Sequence, residues 1–193
     1  YWIIDTLNGK INFSHGFPHF AISVAVGYNN EIITAVVIDP LRDEIYFAEK
    51  GKGSFLNDRR IRVSKRNSLS SCVFSIYNDI DQNSNLNDKK YHKIIKDLVF
   101  ENSLVTREFG SPALSFAWLA SGKIDCFLSN NLKINEIACG ELFIKEAGGY
   151  ISNFKSVSPY QAPGEGLIAA NPVIHREILK KYKLLNNKSK TNP

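Results

Sequence analysis

The sequence predicts an α/β protein, in which α and β elements pack in layers to form one compact unit. Two patterns predict this class. Between Phe20 and Val63, short apolar runs alternate with turn-forming residues, as in an antiparallel meander of about four half-buried strands. After residue 88, segments with helical spacing of apolar residues alternate with short apolar strands. Because no repeat or linker divides the chain, residues 1–185 are expected to form a single domain, followed by a polar, frayed tail at 186–193.

Turn signals delimit the predicted strands of the first half. The opening apolar run is expected to be a buried strand that ends at Asp5. Residues 27–30, GYNN, lie between two apolar runs and predict a β-hairpin. Residues 51–53 and 57–58 mark the next turns, and residues 71–76 predict a further strand.

The second half carries helix signals. Residues 79–88 are polar and predict a loop. Ser111 is a candidate N-cap with proline at the first helical position, and a glycine pair at 148–149 ends another helix. The predicted helices are residues 88–101, 111–122, 134 to the glycine pair, and 172–185. The predicted strands between them are residues 105–110, 123–129 and 166–171.

The sequence shows neither a membrane-spanning segment nor a secretory leader. The chain has 193 residues, of which 44% are apolar and 22% charged, as in ordinary globular proteins. No apolar run approaches the roughly 18 residues that a membrane span needs, and no leader pattern is present, so a cytoplasmic location is expected. The three cysteines are scattered, which favours free thiols over disulfides or a metal site.

The net charge of +5 suggests an acidic partner or an anionic substrate. The densest basic cluster lies at residues 59–66, and it is interpreted as a solvated strand face. The sequence contains no direct nucleic-acid-binding motif.

The segment DTLNGK at residues 5–10 is the first candidate site. A strand that ends in an acid places a carboxylate at a sheet edge, and the following glycine lets backbone amides turn toward a ligand. These features are typical of an anion or metal site. They also fit an ordinary Asn-Gly turn in which Asp5 merely caps the chain, and the local sequence leaves both interpretations open.

Four segments resemble the inositol monophosphatase family. WIIDTLNGKINFSHGFP at residues 2–18 resembles the family signature WIIDPLDGTTNFxHGxP, and INEIACGELFIKEAGG at residues 134–149 resembles WDxAAGxLLVxEAGG. Residues 51–64 and 107–127 are similar to GxGAFxNxxxIxVS and RxxGSAALxLAxVAxGxxDxF. The resemblance covers residues 2–180, with the motifs in family order.

The resemblance implies a layered sugar-phosphatase fold that here lacks its N-terminal helical segment. It also implies a magnesium-dependent inositol-1-monophosphatase that acts on inositol phosphate or a related sugar phosphate. In that family, carboxylates hold Mg²⁺ ions that polarise the phosphate and activate water. Members are commonly homodimers.

The implied metal site departs from the family pattern. Asp5 matches the bridging aspartate and the Leu7 carbonyl matches a backbone ligand, whereas Asn8 replaces a second aspartate. Lys10 replaces the threonine that orients the attacking water, and Glu136 replaces a distal aspartate. The family's metal-binding glutamate pair lies upstream of the first signature, and this chain begins too late to include it.

The resemblance also implies a substrate pocket. The amides of Gly9 and Lys10 are expected to hold phosphate, with Lys10 as the counter-charge. Gly110 and Ser111 match pocket-lining positions of relatives. Ser129 stands where substrate-recognising members often have a glutamate.

These departures predict that Mg²⁺ binding is weakened or lost and that phosphatase activity is impaired or absent. The expected ligand is a small phosphorylated polyol or sugar. The alternative is a non-catalytic partner protein in ribosomal RNA transcription or processing, because some bacterial relatives contact the transcription machinery.

The histidines are not expected to bind metal. His15 and His19 are four residues apart, but Pro18 forbids a regular helix there, so both are interpreted as structural. His92 and His175 are expected to be exposed on helices.

Overall fold

The strands form two sheets with helices between and beyond them. The computed structural model of the chain describes residues 1–78, 95, 97–99, 102–160 and 166–191. The strands are β1 Trp2–Asn8, β2 Ala21–Tyr28, β3 Glu31–Asp39, β4 Glu44–Glu49, β5 Gly53–Leu56, β6 Arg59–Ile61, β7 Val73–Asn78, β8 Val105–Arg107, β9 Cys126–Asn130, β10 Tyr150–Asn153 and β11 Leu167–Ala170. The helices are α1 Lys10–Ser14, α2 Pro112–Ala120, α3 Ile134–Glu146 and α4 Pro172–Thr191, with a 3₁₀ turn at Leu69–Ser71.

The first sheet is antiparallel throughout, in the order β1-β2-β3-β4-β5-β6. The second has the order β10-β11-β9-β7-β8, in which β7 runs parallel to both neighbours. One apolar core joins the inner faces of both sheets to α2 and α3, and a second core joins the other face of the second sheet to α4. The layers are therefore sheet, helix pair, sheet and helix, which confirms the predicted layered α/β class.

Helices α2 and α3 pack closely because a glycine lies at their contact. A Cβ built on Gly140 would lie 2.2 Å from the ring of Phe116, which is itself fully buried. Such a distance is far below van der Waals contact, so any side chain at position 140 forces the helices or the ring to move.

Replacing Gly140 with alanine is expected to destabilise the protein by about 1–3 kcal/mol, because overpacking outweighs the helix propensity gained. Urea unfolding measures this change in the free energy of unfolding. The double variant Gly140→Ala/Phe116→Leu should recover part of the loss if the clash is the cause. A single variant as stable as the parent would contradict the close contact.

The outer face of the first sheet is largely apolar and open. Trp2 is 69% exposed and Ile4 is 55% exposed, and they pair with Val26 and Val24 of β2. The prediction of a buried first strand is therefore wrong for half of its side chains. The apolar residues of β1 alternate between the two faces, and only the inner face contacts the core.

The other strand and helix predictions mostly hold. The hairpin is present, with Asn29 and Asn30 at positive φ of 48° and 59°. The meander contains five strands, β2 to β6, and β1 extends it. The short elements α1 and β10 were not predicted, since five and four residues are too few to show a clear period.

Two predictions concern segments that the structure describes only in part. The predicted loop at 79–88 lies outside the described residues, as does most of the predicted helix at 88–101. Residues 95 and 97–99 of that helix are described as helical. Helix α4 continues to Thr191, beyond its predicted end at residue 185, with no glycine or proline to interrupt it.

The three cysteines, Cys72, Cys126 and Cys139, are free and buried, as predicted. Burial raises the pKa of the Cys72 and Cys139 thiols to about 12, so they stay protonated at neutral pH. Within the described part of the chain, no helix combines the length and the hydropathy that crossing a bilayer requires.

Candidate active-site cleft

A cleft of about 490 Å³ opens where β1 ends. It lies among the end of β1, helix α1, the end of β7, the loop before α2 and the start of α3. The lining residues are Asp5, Leu7, Asn8, Gly9, Lys10, Ile11, Asn12, Ile76, Tyr77, Glu108, Gly110, Lys133, Asn135 and Glu136. The residues of both family signatures thus meet at one site.

The turn from β1 into α1 requires a glycine. The β1–β2 register shifts between Asp5 and Asn8, and Gly9 then takes a positive φ of 93°. A Cβ at this position would lie 3.0 Å from the carbonyl oxygen of His19. Gly9 therefore fixes where the chain reverses and where Lys10 enters the cleft.

Asn12 holds this turn against the loop before α2. Its Nδ2 donates to the carbonyl oxygens of His19 and Phe109, each at 2.7 Å. Gly110 has a positive φ of 73°, and a Cβ there would contact the Asn12 amide at 2.9 Å. Asn12 thus joins two walls of the cleft, a role that the sequence analysis missed although the residue lies in the first signature.

Asn8 is 3% exposed, and both ends of its amide form hydrogen bonds. Its Oδ1 accepts hydrogen bonds from the Ser111 hydroxyl at 2.7 Å and from the Ala113 backbone N–H at 3.0 Å, and its Nδ2 donates to Asp5 Oδ2 at 3.0 Å. The Ala113 N–H can only donate, so it fixes which end of the amide is oxygen. The oxygen of Asn8 consequently caps helix α2, and the end that faces Asp5 is an N–H donor.

Asp5 accepts hydrogen bonds from three nitrogens. Besides Asn8, the Leu7 backbone N–H lies 3.4 Å from Oδ1, and Asn135 Nδ2 lies 3.3 Å from Oδ2. Two side-chain amides thus converge on one carboxylate oxygen. They occupy lone pairs that a cation would otherwise use.

Glu136 lies at the third position of α3 and turns back toward the start of the helix. Its Oε2 accepts a hydrogen bond from the Lys133 backbone N–H at 2.9 Å. This contact is half of a capping box. Satisfying a backbone donor at the helix end gives Glu136 a structural role within the cleft wall.

Most of the predicted site residues meet in the cleft, and two do not line it. The residues that line it are Asp5, Leu7, Asn8, Gly9, Lys10, Gly110 and Glu136. Ser111 is fully buried behind Asn8, and Ser129 is 1% exposed and donates to the Asn130 carbonyl oxygen at 3.1 Å. Ser111 occupies the N-cap position of α2, but the predicted capping by its side chain is wrong, because the Asn8 oxygen accepts the Ala113 N–H instead.

Further cleft residues were missed because no periodic pattern marks them. Tyr77 lies at the carboxyl end of a parallel strand, and Glu108 lies just before the loop that carries Gly110. Ligand-binding residues commonly lie at such strand ends and loops. Lys133 precedes the second signature and adds a second lysine to the lining.

Two of the histidines that the structure describes are buried. His19, 2% exposed, packs against Phe109 and Trp118, and burial together with Arg42 lowers its pKa to about 4. His175 is 7% exposed, so its predicted exposure is wrong: Ile174 and Ile178 beside it are core residues, and the helix turns this face toward the sheet.

His15 is exposed, with Nδ1 2.9 Å from the Ile11 carbonyl oxygen. His92 lies outside the described residues.

The described residues do not fit a magnesium centre. Mg²⁺ requires several oxygen ligands, usually carboxylates. In the described ranges, no three acidic, histidine or cysteine side chains lie close enough to share a metal ion. Asp5 is surrounded by N–H donors, the Asn8 oxygen caps α2, and Glu136 caps α3. No catalytic step through a metal is therefore derived for these residues.

Comparison with known proteins identifies the family of this chain. The model of the inositol monophosphatase family matches residues 1–186. An inositol-1-monophosphatase of Rhizobium meliloti is 44% identical over 149 residues, which cover 77% of this chain and 55% of the relative. A Nus factor SuhB of Pseudomonas aeruginosa is 35% identical over 178 residues, which cover 92% of this chain and 65% of the relative.

A solved structure shows the same fold. The crystal structure of the extragenic suppressor protein suhB from Bartonella henselae matches with a TM-score of 0.86 and 34% identity, covering 94% of this chain and 68% of that one. The chain thus spans roughly two thirds of the length of such relatives. The chain belongs to the inositol monophosphatase family.

Proposed function

We propose that this chain binds a small phosphorylated polyol or sugar in the Asp5 cleft and that its phosphatase activity is impaired or lost. The observation that carries the proposal is the Asn8 amide. Its oxygen is bound to Ser111 and Ala113, and its N–H group donates to Asp5. An N–H donor thus stands where the family signature has a carboxylate.

The two lysines of the cleft support phosphate binding without a metal. Lys10 and Lys133 line it, and each offers an ammonium group. A phosphate can accept charge-assisted hydrogen bonds from such groups. The carboxylate of Glu108 lies on the same lining and can accept hydrogen bonds from ligand hydroxyl groups.

Because Lys10 has replaced the threonine of the signature, it is expected to supply the main counter-charge to the phosphate. Binding of inositol 1-phosphate, measured by isothermal titration calorimetry in EDTA, should weaken about tenfold in Lys10→Ala, which is about 1.4 kcal/mol. Lys52→Ala is the matched control, since Lys52 pairs with Glu49 outside the cleft. Equal affinity of the parent and the Lys10 variant would remove the basis of the proposal.

A second candidate function is that of a partner protein in ribosomal RNA transcription or processing. The name of the Pseudomonas relative, Nus factor SuhB, at 35% identity, favours it. Such a role would not require metal binding in the cleft. Co-purification of RNA polymerase with the tagged chain at moderate salt would support this candidate, and a pull-down without polymerase would count against it.

A further inference from the structure

A second cavity, of about 400 Å³, lies between strand β10 and helix α4. This volume falls within the range typical of small-molecule sites. None of its lining residues lines the Asp5 cleft. Strand β10 lies three places from β7, the strand of the second sheet that reaches the cleft, so these two strands are about 14 Å apart across the sheet.

The cavity contains a buried histidine with one ring nitrogen to spare. His175 Nε2 lies 3.0 Å from the Ser152 hydroxyl, which also lies 2.9 Å from the Asn153 carbonyl oxygen. Since Ser152 has one proton and the carbonyl can only accept, the network is satisfied when Ser152 donates to Asn153 and His175 Nε2–H donates to Ser152. Nδ1 is then a hydrogen-bond acceptor.

Nothing in the described part of the chain bonds to that nitrogen. His175 Nδ1 is not among the unpaired side-chain atoms that are closed off from solvent in the described residues. A molecule in the cavity can therefore reach it. Burial lowers the pKa of His175 to about 4, which keeps the ring neutral at physiological pH.

The rest of the wall combines a cation with apolar surface. Arg176 lines the cavity, is exposed, and forms no ion pair within the described ranges. Leu179 and the ring of Tyr150 supply apolar surface, and that ring lies 5.9 Å from the His175 ring. An unpaired guanidinium beside an apolar wall is suited to an anionic group on an apolar body.

We propose that this cavity binds a small carboxylic acid with an aromatic body and a hydroxyl group. The carboxylate pairs with Arg176, the ring packs against Leu179 and Tyr150, and the hydroxyl donates to His175 Nδ1. The site is separate from the Asp5 cleft and does not depend on the function proposed for it.

The probe is 4-hydroxyphenylacetate, which carries all three features. Titration followed by ¹⁵N NMR of the imidazole nitrogens should shift the His175 Nδ1 signal, with a dissociation constant of about 1 mM or below for a ligand of this size. Arg176→Gln should weaken binding about tenfold, whereas Lys180→Gln should leave it unchanged. Lys180 is the matched control, since it is an exposed cation of the same helix that does not line the cavity.

Two measurements on the unaltered chain guard against a variant that fails to fold. The neutral amide of the probe should bind about tenfold more weakly than the acid, and phenylacetate, which lacks the hydroxyl, should not shift Nδ1 in the same way. The proposal is overturned if the amide binds as tightly as the acid, if Arg176→Gln binds as tightly as the parent, or if the His175 signals do not move.

Discussion

Replacing Asn8 with aspartate is expected to lower the free energy of unfolding by about 2 kcal/mol at neutral pH in the absence of divalent cations. The new carboxylate can still accept the hydrogen bonds from Ser111 and Ala113. Its second oxygen, however, would stand about where Asn8 Nδ2 now lies, 3.0 Å from Asp5 Oδ2. Two carboxylates at this distance repel each other. The substitution thus removes the N–H donor to Asp5 and puts a second negative charge in its place.

The same repulsion fixes the pH and metal dependence of the variant. The folded state would raise the pKa of one of the two carboxyls above its unfolded value, so the loss of stability should disappear as the pH falls and that carboxyl binds a proton. Mg²⁺ should also restore stability to the variant, because it would screen both charges, and should have little effect on the parent.

Chemical unfolding at several pH values, with and without Mg²⁺, checks this prediction. Asn29→Asp is the matched control, because it adds the same charge at an exposed turn. A parent protein that Mg²⁺ stabilises as much as it stabilises Asn8→Asp would contradict the assigned role of the Asn8 amide.

Acid is expected to destabilise the parent protein through two buried histidines. The pKa of His19 and that of His175 are each lowered to about 4 in the folded protein, from 6.5. The unfolded chain therefore binds more protons than the folded chain between these values, and stability must fall as the pH falls from about 6.5 toward 4. Each histidine contributes a loss of about 2 kcal/mol between pH 7 and pH 5.

Variants separate the two contributions. Urea unfolding of His19→Gln and His175→Gln at pH 7 and pH 5 should show a smaller pH dependence than the parent in each case. His15→Gln should keep the full dependence, because His15 is exposed. A parent protein whose free energy of unfolding is the same at pH 7 and pH 5 would contradict the burial of both rings.

The sequence predicted the fold class because its main signals are long and periodic. Strands β2 and β3 are apolar runs between clear turns, and α3 combines helical spacing with a glycine pair at its end. Elements α1 and β10 are too short to show a period. The apolar residues of β1 indicate a strand, but they cannot say that one face of it is open.

The candidate site was predicted as a set of positions, and its hydrogen bonds were not. The sequence shows that an amide stands at position 8, but it does not show that the amide oxygen faces α2 while its nitrogen faces Asp5. That orientation depends on Ala113, which is 105 residues away along the chain. The second cavity was missed for the same reason, because the helix face that carries His175 could not be known to pack on β10.

The most direct test is Mg²⁺-dependent release of phosphate from inositol 1-phosphate, measured for the parent chain and for Asn8→Asp/Lys10→Thr/Glu136→Asp. We expect no metal-dependent turnover by the parent, because an N–H donor and two helix caps stand in the place of metal ligands. Turnover that appears only in the triple variant would locate the defect at these three residues. Metal-dependent turnover by the parent would contradict the central claim that the Asn8 amide and its neighbours have made the cleft unsuited to magnesium.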